Sequence, residues 1–105
     1  MTVSTLDTAL RAAAPGKIFE LAAPEGATES AVWHEYAPRT LTGDDAVQLE
    51  APRVQIDVIW QRRGSTLLRT VKDTLTALEL PYEVISHGYD DAWSAMRCIL
   101  QLEVV

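Results

Sequence analysis

Two histidines, His34 and His87, with Glu35, Asp90 and Asp91 near them, are the residues best suited to binding a metal or moving a proton. Their spacing is poor for either task. His34 and Glu35 are adjacent, so on a strand they point to opposite faces, and no HExxH pattern is present. Asp90 and Asp91 follow Gly88 closely, which is ordinary turn composition. Cys98 is the single cysteine, which excludes an intramolecular disulfide framework and a multi-cysteine zinc site. It shares an alternating face with Met96, Leu100 and Leu102, where a thiol packs as a small hydrophobe. The five glycines are scattered, and neither Gly43 nor Gly64 has the partners of a phosphate-binding loop. The expectation is therefore no catalytic residue, no metal site and no cofactor. The alternative is a small ligand- or metal-binding α+β domain, or an enzyme, that uses His34, His87 and nearby carboxylates.

The remaining residues able to do something at a surface are aromatic and charged. Trp60 is expected in the core and Trp33 in the core or an interface. Trp93, just after Asp90-Asp91, is the best candidate for touching a partner. Charge is distributed unevenly. Residues 20–50 hold seven carboxylates against Arg39 alone, which accounts for the whole net charge of −6. With a pI near 4.7, binding to nucleic acid through its phosphates is not expected. The longest apolar runs fall far short of the roughly 18 residues of a membrane span. Residues 1–11 lack a basic stretch followed by an apolar one, so no signal peptide is expected.

The elements that must position these residues can be read from period and punctuation. Ser4 is placed to cap a first helix, with Asp7 three positions on, and Leu6, Ala9, Leu10 and Ala13 recur at helical spacing until Pro15-Gly16. Lys17–Leu21 could be a short extended segment, and residues 22–29 read as loop. Residues 31–37 read as a strand that Pro38 ends. Residues 39–50 have neither period and read as a long loop or β-ribbon arm. From Arg53 to Trp60 the chain alternates cleanly, with Val54, Ile56, Val58 and Trp60 on one face. Leu67, Leu68, Val71, Leu75 and Leu78 then mark an amphipathic helix of about four turns, ended by Pro81. Tyr82–Ser86 is a short strand, 87–91 a turn, and residues 96–104 a final alternating strand. The expected fold is one α+β domain, with a mostly antiparallel four-stranded sheet and two helices on one face. The order is helix-strand-strand-helix-strand-strand, with a possible extra short strand after the first helix.

The stretch Ala51-Pro52-Arg53-Val54-Gln55-Ile56-Asp57-Val58-Ile59-Trp60 resembles the central strand of small tail-completion proteins of long-tailed bacteriophages, a family often catalogued as a domain of unknown function. Ala31-Val32-Trp33-His34 is similar to that family's first long strand, and Met96 to Leu102, after the polar Tyr89-Asp90-Asp91, to its closing strand. The resemblance covers most of the chain from about Ile18. It implies a tail terminator: a virion protein forming a hexameric ring, a homo-oligomer that caps the tail tube protein and meets the head-tail connector protein. DNA would pass through its lumen without specific binding. Its place would be the head-proximal end of the tail, with no membrane involved.

A ring needs two different patches that meet head to tail. The acidic third is expected to face a neighbour's Arg62, Arg63, Arg69 or Lys72. Leu41, Asp44, Asp45 and Val47, on the arm, are expected to dock on the tube or a neighbour, with Trp93 a further partner contact.

Overall fold

The computed structural model describes residues 1–36 and 51–104. Two helices and five strands follow in the order α1 (Val3–Ala13), β1 (Ile18–Glu20), β2 (Glu29–Tyr36), β3 (Arg53–Trp60), α2 (Leu67–Ala77), β4 (Tyr82–Asp90) and β5 (Ala95–Glu103). The fold is α+β. The strands form one sheet in the spatial order β1-β2-β3-β5-β4, so β3 is its centre. Among the described residues no helix is long and apolar enough to cross a membrane.

The sheet is mostly antiparallel, as expected from the sequence, but it has five strands and not four, and is mixed. The extra short strand is present as β1, and it pairs parallel to β2, with Ile18 opposite Ala31 and Glu20 opposite Trp33. All other pairings are antiparallel. Three residues carry no readable period, whereas a parallel partner becomes available once residues 21–28 carry the chain back to the start of β2. Two boundaries also move. The first helix is capped by Thr2, whose Oγ1 accepts from the Thr5 amide at 3.1 Å, and not by Ser4. The second helix runs eleven residues, about three turns.

One apolar layer lies between helices and sheet. Strand alternation sends Val54, Ile56 and Val58 of β3 to the same side as Ala31 and Trp33 of β2 and Cys98, Leu100 and Leu102 of β5. All are buried, together with Leu6 and Leu10 of α1 and Leu67, Val71 and Leu75 of α2. Trp60 and Leu68 are only partly buried at the margin, and the Trp60 ring meets His87 edge-on at 5.9 Å. Trp33 is anchored twice. Its ring is in the core, and its Nε1 donates to Asp7 Oδ1 at 2.7 Å, which ties α1 to β2. Asp7, expected from sequence to stand three positions after the cap, instead joins Trp33 and Arg11.

The end of α2 is a Schellman motif. The Leu80 amide donates to the Leu75 carbonyl and the Glu79 amide to that of Thr76, while Leu80 is buried beside Leu75. Pro81 then prevents continuation. The chain enters β4, which is longer than the sequence suggested: His87, Gly88, Tyr89 and Asp90 are strand, and the turn is 91–94. An irregularity between Val84 and Ser86 makes Ile85 the extra residue. The helix layer stops short of this edge strand, leaving Val84, Ile85 and Tyr89 exposed.

Because Leu75 is fully buried between helix and sheet, Leu75→Ala is expected to lower unfolding free energy by about 3 kcal/mol. Val84→Ala, on the exposed edge, should cost well under about 1 kcal/mol. Urea denaturation of both variants checks the arrangement, and equal effects would contradict it.

Candidate interaction site

The sheet face away from the helices is open, and its side chains are sorted by strand register. Across β3 and β5, Arg53 pairs with Glu103 at 3.3 Å, and Gln101 Nε2 donates to Gln55 Oε1 at 3.0 Å. Next along the strands, Arg97 of β5 forks between two acids. Its Nε donates to Asp57 of β3 at 2.8 Å and its Nη1 to Asp90 of β4 at 3.1 Å. The Asp57 hydrogen bond, followed by that of Asp90, pushes the Arg97 guanidinium further above its already high range against the opposing effect of burial. One planar cation thus joins three strands.

Beside this cluster the polar ladder gives way to apolar residues. The segment from Leu21 to Thr28 links the parallel β1 and β2 by crossing the open face. Between it and the sheet lies a cleft of about 470 Å³, floored by Ser30, Val32, Asp57 and Ile59. Leu21 and Trp93 stand on its opposite walls, with 75% and 58% of their surfaces exposed, values unusual for such large apolar side chains. Leu21 and Ser94, the residue after Trp93, both hold left-handed backbone with φ of 69° and 48°. Each would relax as glycine, so both walls carry local strain. Gln61 Nε2 reaches the Trp93 carbonyl at 3.5 Å, connecting this wall to the end of β3.

Of the residues singled out by sequence, Trp93 lies on the cleft. Arg62 and Arg63 lie in the β3–α2 turn, where Gly64 at φ 84° supplies the left-handed residue, the Ser65 amide returns to the Arg62 carbonyl, and both arginines face solvent. Arg69 and Lys72 lie on α2, the first exposed and the second half-buried. Leu41, Asp44, Asp45 and Val47 lie outside the described residues. The acidic third is not wholly available to a partner: Glu29 is held by Lys17 at 2.9 Å within the chain.

The residues of the alternative do not converge. His34 is on β2 and faces the open side, opposite Gln55, while His87 is on β4 and faces the helix side, opposite Cys98. Two strands separate them, about 14 Å at ordinary strand spacing. Among the described residues no three His, Cys, Asp or Glu side chains gather closely enough to hold a metal. Burial pushes the Cys98 thiol up, away from the reactive thiolate.

Sequence reasoning missed the cleft and the Arg97 fork. Asp57 and Arg97 are legible as polar-face residues of alternating strands. Their meeting depends on a register that places Asp57 opposite Ile99 and Arg97 opposite Ile59, one diagonal step apart.

Removing the fork's cation leaves two part-buried carboxylates without their donor. Arg97→Ala is expected to destabilise by about 2 kcal/mol, below the penalty of a fully buried pair because these side chains keep partial exposure. Arg97→Lys should recover less than half of that, since an ammonium cannot form the fork. Denaturation midpoints that do not separate the three proteins would contradict this role. The hydrogen bonds of Lys17 and then Ser65 hold the Glu29 carboxyl below its ordinary 4.5. A folded-state value below the unfolded one gives stability that is present above pH 4.5 and lost as pH falls through the lowered value. The stability advantage of wild type over Glu29→Gln should therefore shrink below pH 4.5, and parallel pH profiles would contradict the pairing.

No known protein-family model, curated protein or solved structure matches this chain.

Proposed function

We propose that this chain is a tail-completion subunit of a long-tailed phage particle, one that forms a ring at the head-proximal end of the tail. The ring caps the tail tube, faces the head-tail connector and lets DNA pass through its lumen without specific contacts. The observation that carries this reading is the placement of the three stretches on which the family resemblance rests. Arg53–Trp60 is the central strand of five, and it is flanked by the strands containing Ala31–His34 and Met96–Leu102. The three stretches lie side by side in one register, as a resemblance running through one sheet requires. Asp57, from the most specific stretch, is bonded to Arg97, from the closing one.

The surface chemistry fits an assembly subunit better than a catalyst. Trp93 and Leu21 flank a mostly apolar cleft that no Lys or Arg lines among the described residues, a form suited to taking up another protein's side chains. The docking element is proposed to be the segment holding Leu41, Asp44, Asp45 and Val47. Its flanking residues Tyr36 and Ala51 lie at the end of the sheet where β2 stops and β3 begins.

Electron microscopy of the purified protein is expected to show rings, and particles labelled through this chain should carry the label at the head-proximal end of the tail. Replacing residues 41–47 by a Gly-Ser link should leave the unfolding free energy within about 0.5 kcal/mol of wild type. It should also abolish tail capping, so that tails become irregular in length. Tails that stop at their normal length with the variant, or a label placed elsewhere on the particle, would overturn the assignment.

A further inference from the structure

The cations of this chain fall into two groups. Nine lysines and arginines are present, and Arg39 alone lies outside the described residues. Four of the other eight are paired within the chain: Arg11 with Asp7, Lys17 with Glu29, Arg53 with Glu103, and Arg97 with Asp57 and Asp90. The four that make no ion pair among the described residues are Arg62, Arg63, Arg69 and Lys72. They are clustered: two in the β3–α2 turn and two on the first half of the helix that follows it.

The opposite end of the molecule is acidic. Where α2 ends and β4 begins, Glu79 and Glu83 flank the Pro81-Tyr82 ridge, and neither makes an ion pair among the described residues. On one side of Tyr82 is a groove of about 400 Å³ lined by Glu79. On the other is one of about 460 Å³ lined by Tyr36, Glu83 and the Arg53–Glu103 pair, so that Glu83 is its one carboxylate without an ion pair among the described residues. The length of β3 separates the basic turn from this ridge, about 25 Å.

Local energetics oppose this arrangement. The first turn of α2 contains Arg69 and no acid, and its last turn contains no base and is followed by Glu79. Both charges stand at the wrong poles of the helix dipole. Glu79 also occupies the left-handed position of the Schellman motif, with φ of 58°, where glycine is the comfortable residue. A side chain disfavoured both by backbone and by field has its compensation outside the monomer.

We propose that the two ends are complementary halves of one head-to-tail contact between copies of this chain. The Arg62-Arg63 turn of one copy seats on the Tyr82 ridge of the next, with Glu79 and Glu83 as its ion-pair acceptors. Two adjacent arginines match two acid-bearing grooves that share one aromatic wall, and guanidinium groups stack well on tyrosine. Because the patches differ, the contact is heterologous and closes a ring when its rotation permits. The inference rests on the proposed function only in taking the partner to be a second copy.

The test is a reciprocal charge swap on the purified protein, followed by sedimentation velocity. Wild type should associate at low salt and dissociate as salt rises past a Debye length of about 10 Å. Arg62→Glu with Arg63→Glu, and separately Glu79→Lys with Glu83→Lys, should each be monomeric where wild type is assembled. Mixing the two variants should restore assembly, since each then presents the charge that the other lacks. All four positions are exposed, and each variant is expected to keep the wild-type circular dichroism spectrum. A second, independent variant is Glu79→Gly, which should melt above wild type while associating at least tenfold more weakly. Monomeric wild type, association indifferent to either swap, or a mixture that stays monomeric would overturn the contact. Salt-indifferent rings that still cap tails would overturn it and leave the proposed function standing. Salt-sensitive oligomers with no effect on tails would do the reverse.

Discussion

The Arg97 fork is the interaction on which the exposed half of the sheet depends. The helices bury one face of β1, β2, β3 and the inner part of β5, and among the described residues no second layer of helices or strands covers the other. A sheet with one bare face needs something other than apolar burial to fix its outer strands. A guanidinium spanning Asp57, on the central strand, and Asp90, at the end of the edge strand, does this at one point. It also sets the position of the 91–94 turn, because Asp90 closes β4 and its Oδ1 accepts from the Ala92 amide. Trp93 and its cleft wall follow from that turn. The same cation that completes the fold therefore positions the exposed tryptophan of the cleft wall.

Most of the architecture was legible where one face of an element is buried and the other is wet. Strand β3 alternates because the helices cover only one of its faces, and α2 repeats at helical spacing for the same reason. Legibility failed where that contrast is missing. Strand β4 has no buried residue at all, so its sequence shows no alternation, and Gly88 with Asp90 suggested a turn four residues early. Strand β1 is too short for a period, and only its parallel partner makes it a strand. Thr2 and Ser4 are both competent caps, and the Oγ1 of the earlier one fits the Thr5 amide.

The candidate surfaces divide along the same line. Arg62, Arg63, Arg69 and Lys72 could be named from sequence because they form a cluster of cations within eleven residues. Trp93 was legible as an aromatic residue next to a polar turn. The cleft was not, since it exists only once a parallel connection carries Leu21–Thr28 over the open face and places it above Ile59, almost forty residues away in the chain. The acceptor side was also hidden. Glu79 and Glu83 are unremarkable in the sequence, and their significance comes from the Schellman geometry and from the ridge that they flank.

The helix layer and the charge layout share a cause. With β4 outside the helices, α2 must end near the start of β4, and Pro81 forces the turn there. That junction is at the far end of β3 from the turn that begins α2, so the two ends of one helix mark the two ends of the domain. Any charge difference along α2 becomes a charge difference along the whole molecule. A helix chosen for monomer stability would place acids at its start and bases at its end, together with glycine at its left-handed cap. This helix has the opposite order at each of those positions. Proteins give up stability of this kind at surfaces that act on something else. Here the sacrifice is made at both ends of one element and with opposite signs, which two unrelated surfaces would have no reason to share.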